Sequence, residues 1–597
     1  MACPEFALRH FGAEVEQRYP ILALLQLARC PRKLIGASRM ESLTGMKQAK
    51  SVHPLAPQQE TSRPWPTPRR EVGGSGWRSN ALWVAALVLV AGISFWLIWL
   101  STELGIGLRG DSLAYIGGAR SLVAGYGYSR ISGGGEVVPI NHFPPLYSTL
   151  LAGAGRLGAD AIRASRVLNA LLLGLNAVLL GILVARGTGK RTLGVLAAFL
   201  LGTNHVLVDV HSWAMAEPLY LSFLLTFLLA LQSYLTRTRR QTLVLAAVLA
   251  GLSILVRYAG LALIVTGLLS LLAPVLDKRK RIADLGVFLA IGLAPPFAWF
   301  IRNLLLLGSM TNRTFTYHPP SVDAVRAGSW TMWFWTVPSK IFTRIEDRIS
   351  LLTFATIVLF LAVFLILVLG WSRWRREAAV ERRSSDPLAL LVLLSLHFLV
   401  YSLLILANLL FYDASTPLDG RILSPLFLVL LALLGVGLSA MWNFGQALPR
   451  MAVIVMCVLF PLASVDDVID VVRSAHAHGL GFSGRAWQES EIMAAVRQLP
   501  DVTIYTNEPD AVYFLSGRPS YIVLSQIDPV TRGEREDYDN WLRSAQGSLR
   551  KPDSVLVLFH VESLMADPWD REMVIVLTEG LACVQTYGDG SIYRASC

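Results

Sequence analysis

The stretch QTLVLAAVLAGLSILVRYAGLALIVTGLLSLLA, Gln241 to Ala273, decides how this chain is read. As one straight helix at 1.5 Å per residue it would be about 50 Å long, well beyond a hydrocarbon core of about 30 Å. Basic clusters flank both ends, TRTRR before and DKRKR after. Short basic loops stay on the cytoplasmic side, so both ends of the run fall there together. The run therefore reads as a hairpin of two short helices, with Arg257, Tyr258, Ala259 and Gly260 at its apex toward the outer side.

Further apolar runs lie on either side of it. They are Ala81 to Leu100, Ser165 to Arg186, Leu193 to Leu207, Glu217 to Leu235, Leu285 to Phe300, Leu351 to Gly370, Pro387 to Leu410, Ile422 to Met441 and Met451 to Ser464. With the hairpin they give about eleven crossings, against the roughly 20 apolar residues a full span needs. The chain reads as an α-helical polytopic membrane protein. A composition of 54% hydrophobic and 16% charged residues excludes an ordinary soluble protein. The net charge of +11 sits mostly in short clusters between the runs, such as RGTGKR, WSRWRRE and ALPR. These orient helices and do not form the compact basic domain that nucleic acid would need, so no nucleic-acid partner is read.

Residues 1–80 are polar, rich in proline and basic, and read as a disordered cytoplasmic tail; Met40 and Met46 offer alternative starts. Residues 81–470 form the transmembrane module, with a long outer loop over 101–164. Residues 471–597 change character, with strand-like VTIYT, SYIVL and SVLVLF beside helix-like WQESEIMAAVRQL and EREDYDNWLRSA. That is the pattern of an extracytoplasmic α/β domain. In it, TNEPDAVYFLSGR reads as strand, turn and helix start, with Asn507 or Asp510 capping. Cys583 and Cys597 flank a hairpin around YGDGS, either as a disulfide or as two thiols. Asn312-Arg-Thr spells a glycosylation sequon to which no role is attached.

The outer loop opens with RGDSLAYIGGARSLVAG, where Leu113, Ile116, Ala119 and Val123 recur at helical spacing. This describes a helix lying in the interface. Asp111 and Ser112 stand where an N-cap would stand. The loop closes on NHFPPLYS, a double proline leading into a second interfacial helix. Glu217 sits at the mouth of a span, where an ionisable group is costly and usually functional. Arg257, Arg302 and Arg421 fall at helix ends on the same side, so acids and arginines converge there. The aromatic run WTMWFWTVPSK, Trp330 to Lys340, suggests a sugar or lipid platform as well as an interfacial belt.

Taken in order, GDSLAY, HFPPLYS, AEPLY, VRYAG and GRILSPL resemble the GT-C glycosyltransferases that use lipid-phosphate sugars. The resemblance is to bacterial relatives of protein O-mannosyltransferases and of the aminoarabinose transferase that modifies lipid A, and it covers roughly Ala81 to Met441. Asp111 has no adjacent second acid, and His142 stands where relatives can place a lysine before the prolines.

The resemblance implies a multi-pass enzyme of the cytoplasmic membrane that moves a hexose or pentose from a polyprenyl-phosphate donor. The acceptor would be a glycan, lipid or protein at the outer face. Asp111 would be the general base of an inverting displacement, and Glu217 would orient the acceptor. Arg257 would hold the donor phosphate, with Arg421 and Arg302 as further phosphate contacts or interfacial anchors. Tyr258 and His142 are candidate substrate contacts, and Tyr258 equally suits the headgroup belt. The resemblance fixes no cofactor, and a divalent cation would sit on Glu217 with His211 or His142. The rival from another class is a transporter or lipid flippase, which would more often show internal repeats and matched broken helices.

Overall fold

Each apolar run named above, except Leu193 to Leu207 and Gln241 to Ala273, lies within one helix in the computed structural model, because a backbone inside hydrocarbon has to satisfy its own hydrogen bonds. The structure describes residues 75–272, 278–311, 315–319, 321–337, 339–381, 386–528 and 530–596. The tail expected over residues 1–80 lies outside these up to residue 74, as do the Asn312 sequon and Cys597.

Helix α1 (Ser75–Ser101) leads into the long loop, which holds α2 (Gly110–Ala124), the antiparallel ribbon of β1 (Ser129–Ile131) and β2 (Val137–Pro139), and α3 (Leu146–Arg156). Then follow α4 (Ala161–Thr188), α5 (Arg191–Gly202), α6 (His205–His211), α7 (Glu217–Arg237), α8 (Arg240–Val256), α9 (Leu261–Leu271) and α10 (Lys278–Leu307). The membrane part continues with α11 (Val322–Thr336), α12 (Ser339–Phe342), α13 (Ile349–Glu381), α14 (Asp386–Phe411), α15 (Gly420–Asn443) and α16 (Ala447–His478).

Among the described residues seven of these helices, α1, α4, α7, α10, α13, α14 and α15, are long and apolar enough to cross a membrane. The pair α5 and α6 meets the same test only together and is bent by 58°. The run expected from Leu193 to Leu207 is thus broken: Asn204 caps a new helix, its side chain accepting from Val206 N and Leu207 N at 3.1 Å. Helices α8, α9 and the first part of α16 are shorter apolar pieces. The hairpin expected in 241–273 is present as α8 and α9, which pack on each other across a break at Arg257 (φ −151°, ψ 143°) and a 3-10 turn, Tyr258–Gly260.

Burial separates the helices into two kinds. In α7, 78% of the apolar window is buried, whereas in α13 the figure is 11%. The outward residues of α13 include Leu351, Phe354, Ile357, Leu361 and Phe364. An apolar helix turned outward in this way is a lipid-facing helix. At the centre, Asn176 of α4 accepts from Ser222 Oγ at 2.6 Å and donates to Pro218 O at 3.1 Å, locking the start of α7 in place.

Helix α2 departs from expectation. Its residues Ala114 to Ala119 are all buried, so it does not lie on a surface with one face outward. Gly118 lets the Tyr128 ring approach so closely that a Cβ would sit 2.5 Å from it. Of the aromatic run, Trp330 to Thr336 forms the end of α11, with Trp330 stacked on Phe334 and Trp335 edge to face with Phe427 of α15. Those two rings pack on protein.

The last apolar run continues without a break to His478. Beyond it come α17 (Arg485–Gln488), α18 (Glu491–Gln498), β3 (Thr503–Thr506), α19 (Pro509–Ser516), β4 (Tyr521–Ile522), α20 (Tyr538–Leu549), β5 (Ser554–Phe559), α21 (Val561–Ala566), α22 (Pro568–Thr578), β6 (Cys583–Tyr587) and β7 (Gly590–Arg594). The sheet order is β4-β3-β5-β7-β6, parallel among the first three strands and antiparallel among the last three. The three strand-like runs and the hairpin read from sequence are all in this sheet, and Cys583 is disulfide-bonded.

This α/β domain is joined to the first loop by backbone. Phe482 N donates to Leu108 O at 3.0 Å, and Leu108 bridges to Gly481. Gly481 adopts φ +53°, which brings it against Leu108 O where no side chain would fit.

Candidate active site

Two helix starts and a helix break meet beneath α2. Glu217 is the first residue of α7, and Pro218 follows it in the first turn, where its missing N–H is not needed. An acid there also suits the positive end of the helix. Arg421 is the second residue of α15, whose cap is Asp419; that carboxylate accepts from Arg421 N at 3.1 Å and Ile422 N at 3.0 Å. A cation at a helix start opposes the dipole, so Arg421 needs the acids around it. Arg257 occupies the break between α8 and α9.

These residues form a chain of alternating charge. Glu217 Oε1 pairs with Arg257 Nη1 and lies 3.4 Å from Arg421 Nε. Arg421 Nη1 in turn pairs with Asp111 Oδ2, and its Nε lies 3.8 Å from Asp419. The Glu217 side chain is 3% exposed and that of Asp111 39%, so the chain runs from a sealed end to an open one. Glu217 Oε2 is buried with no hydrogen-bond partner among the described residues. Such atoms are rare and concentrate at functional places.

Asp111 does not cap α2. The cap is Arg109, whose backbone N–H donates to Ser112 Oγ at 3.2 Å; Asp111 follows in the first turn and turns toward Arg421. The Arg109 guanidinium lies 3.7 Å over the Trp213 ring, and Trp213 Nε1 donates to Asp209 at 3.1 Å. Burial and the neighbouring Arg421 both lower the Arg109 pKa from its usual value.

The structure thus brings together Asp111, Glu217, Arg257 and Arg421 from the residues read in sequence. Arg302 is engaged differently, donating to Ile140 O at 2.8 Å and Tyr128 O at 3.1 Å, which ties β1 and β2 to α10. Tyr258 donates to Asn141 O at 2.6 Å and receives Trp299 Nε1 at 3.2 Å. Both therefore clamp the long loop. His142 packs edge to face on Phe143.

His211 has both ring nitrogens in use, with Leu207 O at 2.7 Å from Nδ1 and Asn176 at 3.1 Å from Nε2. Glu217 is taken by arginines, and no group of three or more metal-ligating side chains occurs among the described residues. These residues do not fit the cation considered for them.

Sequence reading missed Asp419, Arg109 and Asp510. The cap pattern Asp419-Gly-Arg421 before an apolar run was visible as a signal. Asp510 was read as a cap, but the cap of α19 is Glu508; Asn507 instead exchanges hydrogen bonds with Phe559 N (2.9 Å) and O (3.0 Å). Asp510 then faces α2, and a Cβ on Gly110 would lie 2.9 Å from its Oδ2.

A bundle of apolar helices with a buried charge chain at the helix ends beside a long loop is the architecture of a multi-pass membrane protein with a polar site at one rim. More narrowly, residues 142–300 match the family of dolichyl-phosphate-mannose-protein mannosyltransferases. The match contains His142, Glu217, Arg257 and Tyr258, and it supports the GT-C membrane glycosyltransferase class that the motifs resemble. No curated protein matches the chain.

Among solved structures, the Archaeoglobus fulgidus oligosaccharyltransferase, in complex with zinc and sulfate, is 15% identical at a TM-score of 0.48, covering 85% of this chain and 73% of that one. ArnT from Cupriavidus metallidurans, bound to undecaprenyl phosphate, is 14% identical at 0.43, covering 87% and 98%. The arabinofuranosyltransferase AftD from mycobacteria is 15% identical at 0.41, covering 86% and 41%.

Proposed function

We propose that this chain transfers one sugar from a polyprenyl-phosphate donor to a hydroxyl acceptor at the outer face of the cytoplasmic membrane, with inversion. The observation that carries the reading is the run Arg257, Glu217, Arg421, Asp111 at one rim of the bundle. The family matched over 142–300 is named for transfer from a lipid-phosphate sugar, which is the same donor chemistry.

In this reading the acceptor oxygen attacks the anomeric carbon and forms the new C–O bond. The bond from that carbon to the phosphate oxygen breaks, and the lipid phosphate leaves with the electron pair. The acceptor proton passes to Asp111, the more exposed of the two acids in that run and so the one an acceptor reaches. A departing phosphate needs charge stabilisation more than a proton, and the planar guanidiniums of Arg257 and Arg421 supply it. Glu217 holds both arginines toward one place and keeps two cations tolerable in a buried position.

The test is reconstitution in liposomes with a panel of radiolabelled polyprenyl-phosphate sugars. Asp111→Asn is expected to lower transfer by about 10²- to 10⁴-fold without changing the thermal unfolding midpoint by more than a few degrees. Undiminished transfer by that variant would remove Asp111 as base. Substrate flux across the liposome without transfer would replace the reading with a transporter.

A further inference from the structure

The α/β domain reaches the ion-pair chain at one point. The starts of α2 and α19 face each other, and Gly110 is the residue that permits it: a Cβ there would stand 2.9 Å from Asp510 Oδ2. Asp111 is the next residue. Asp510 therefore stands one residue away from the proposed base, although some 400 positions separate the two in sequence.

The local fold of the domain presents Asp510 firmly. Asn507 is held to Phe559 of β5 by two hydrogen bonds, Pro509 begins α19, and Asp510 follows in the first turn, where a carboxylate is favoured. The nearby ribbon is anchored to the same domain, since Gly133 and Gly134 lie against Tyr521 of β4. Asp510 is half-buried, and among the described residues its carboxylate accepts no hydrogen bond. Asp111 uses Oδ2 on Arg421. Two carboxylates thus border the open end of the site. Arg130 acts on Asp510 with the opposite charge, and Glu508 adds another acid beside it.

We propose that Asp510 is an acceptor-binding residue contributed by the α/β domain, and that with Asp111 it selects a neutral polyhydroxyl acceptor over an anionic one. A carboxylate accepts hydrogen bonds from hydroxyl groups and donates none at neutral pH. One hydroxyl of the acceptor is deprotonated at Asp111, and a neighbouring hydroxyl donates to Asp510. An acceptor bearing a phosphate near its reacting hydroxyl would meet the same negative rim and be repelled. This inference rests on the glycosyl-transfer reading above.

The experiment compares wild type, Asp510→Asn and Gly110→Ala in liposomes. The donor is the polyprenyl-phosphate sugar that the panel shows to be active, and the acceptors are octyl glucoside and its 6-phosphate. Wild type is expected to prefer the neutral glycoside. Asp510→Asn should raise KM for octyl glucoside about tenfold, leave the KM for the donor unchanged, and narrow the preference against the phosphorylated glycoside. Gly110→Ala, which pushes the carboxylate aside while keeping it, should raise the acceptor KM in the same way. Thermal unfolding midpoints near that of wild type establish that both variants fold. An unchanged acceptor KM and unchanged preference in Asp510→Asn would overturn the role of Asp510 alone. Absence of transfer by wild type from every donor, even to water, would overturn the glycosyl-transfer reading and this inference with it.

Discussion

Glu217 carries a heavy electrostatic demand, with one nearly sealed carboxylate serving two arginines. Removing one partner of a buried pair leaves the others uncompensated, at a cost of about 3 to 5 kcal/mol. Glu217→Gln keeps the shape and removes the charge, so it is expected to destabilise the protein by that order. Asp111→Asn acts on a pair open to water and should cost at most about 1 kcal/mol. Unfolding of the two variants in detergent measures the difference; equal effects would mean that Glu217 is less enclosed than its geometry indicates. Glu217 was legible in sequence because an acid at the edge of an apolar run is conspicuous. Arg302 was equally conspicuous, yet it binds loop carbonyls, and hydropathy does not distinguish a phosphate contact from a clamp.

At the scale of elements, the start of α15 shows how a helix terminus is used to aim a side chain. Asp419 caps the helix and adds negative charge beside Arg421, and the two roles are separable. Asn caps about as well as Asp, whereas Ala does not and costs about 1 kcal/mol. Asp419→Asn is therefore expected to keep wild-type stability, and Asp419→Ala to lose about 1 kcal/mol in the same unfolding measurement. If transfer falls equally in both, charge is the part that matters to the site; if only Ala impairs it, the cap is. The helices themselves were readable from apolar runs. The break at Asn204 was not, because an apolar run gives no sign of where the backbone turns by 58° within it. The enclosure of α2 was not readable either, since its cover comes from the ribbon, from α3 and from a distant domain.

For the whole molecule, the α/β domain brings its own acids to the membrane module. Burial pushes Asp510 up to about 6, opposed by Arg130 and reinforced by Asp111. Burial also raises Glu508 to about 6, with Asp510 adding to it. Both lie above their ordinary carboxyl values, so folding favours the protonated forms. The corresponding stability is present at low pH and is lost as pH rises through about 6. The thermal unfolding midpoint is expected to fall between pH 5 and pH 7, and to fall less in Asp510→Asn. A midpoint equally steep in that variant would assign the effect to other groups. The sequence by itself determined the membrane class, the helical runs, the hairpin at Arg257 and the α/β character of the last 120 or so residues. These follow from apolar length, basic flanks and periodicity, which are properties of neighbouring residues. Only the tertiary structure decided that Asp111 pairs with Arg421, that Glu217 serves two arginines and that Asp510 stands beside Gly110. Those contacts join residues from helices and a domain far apart in the chain, and they exist only where packing brings those elements together.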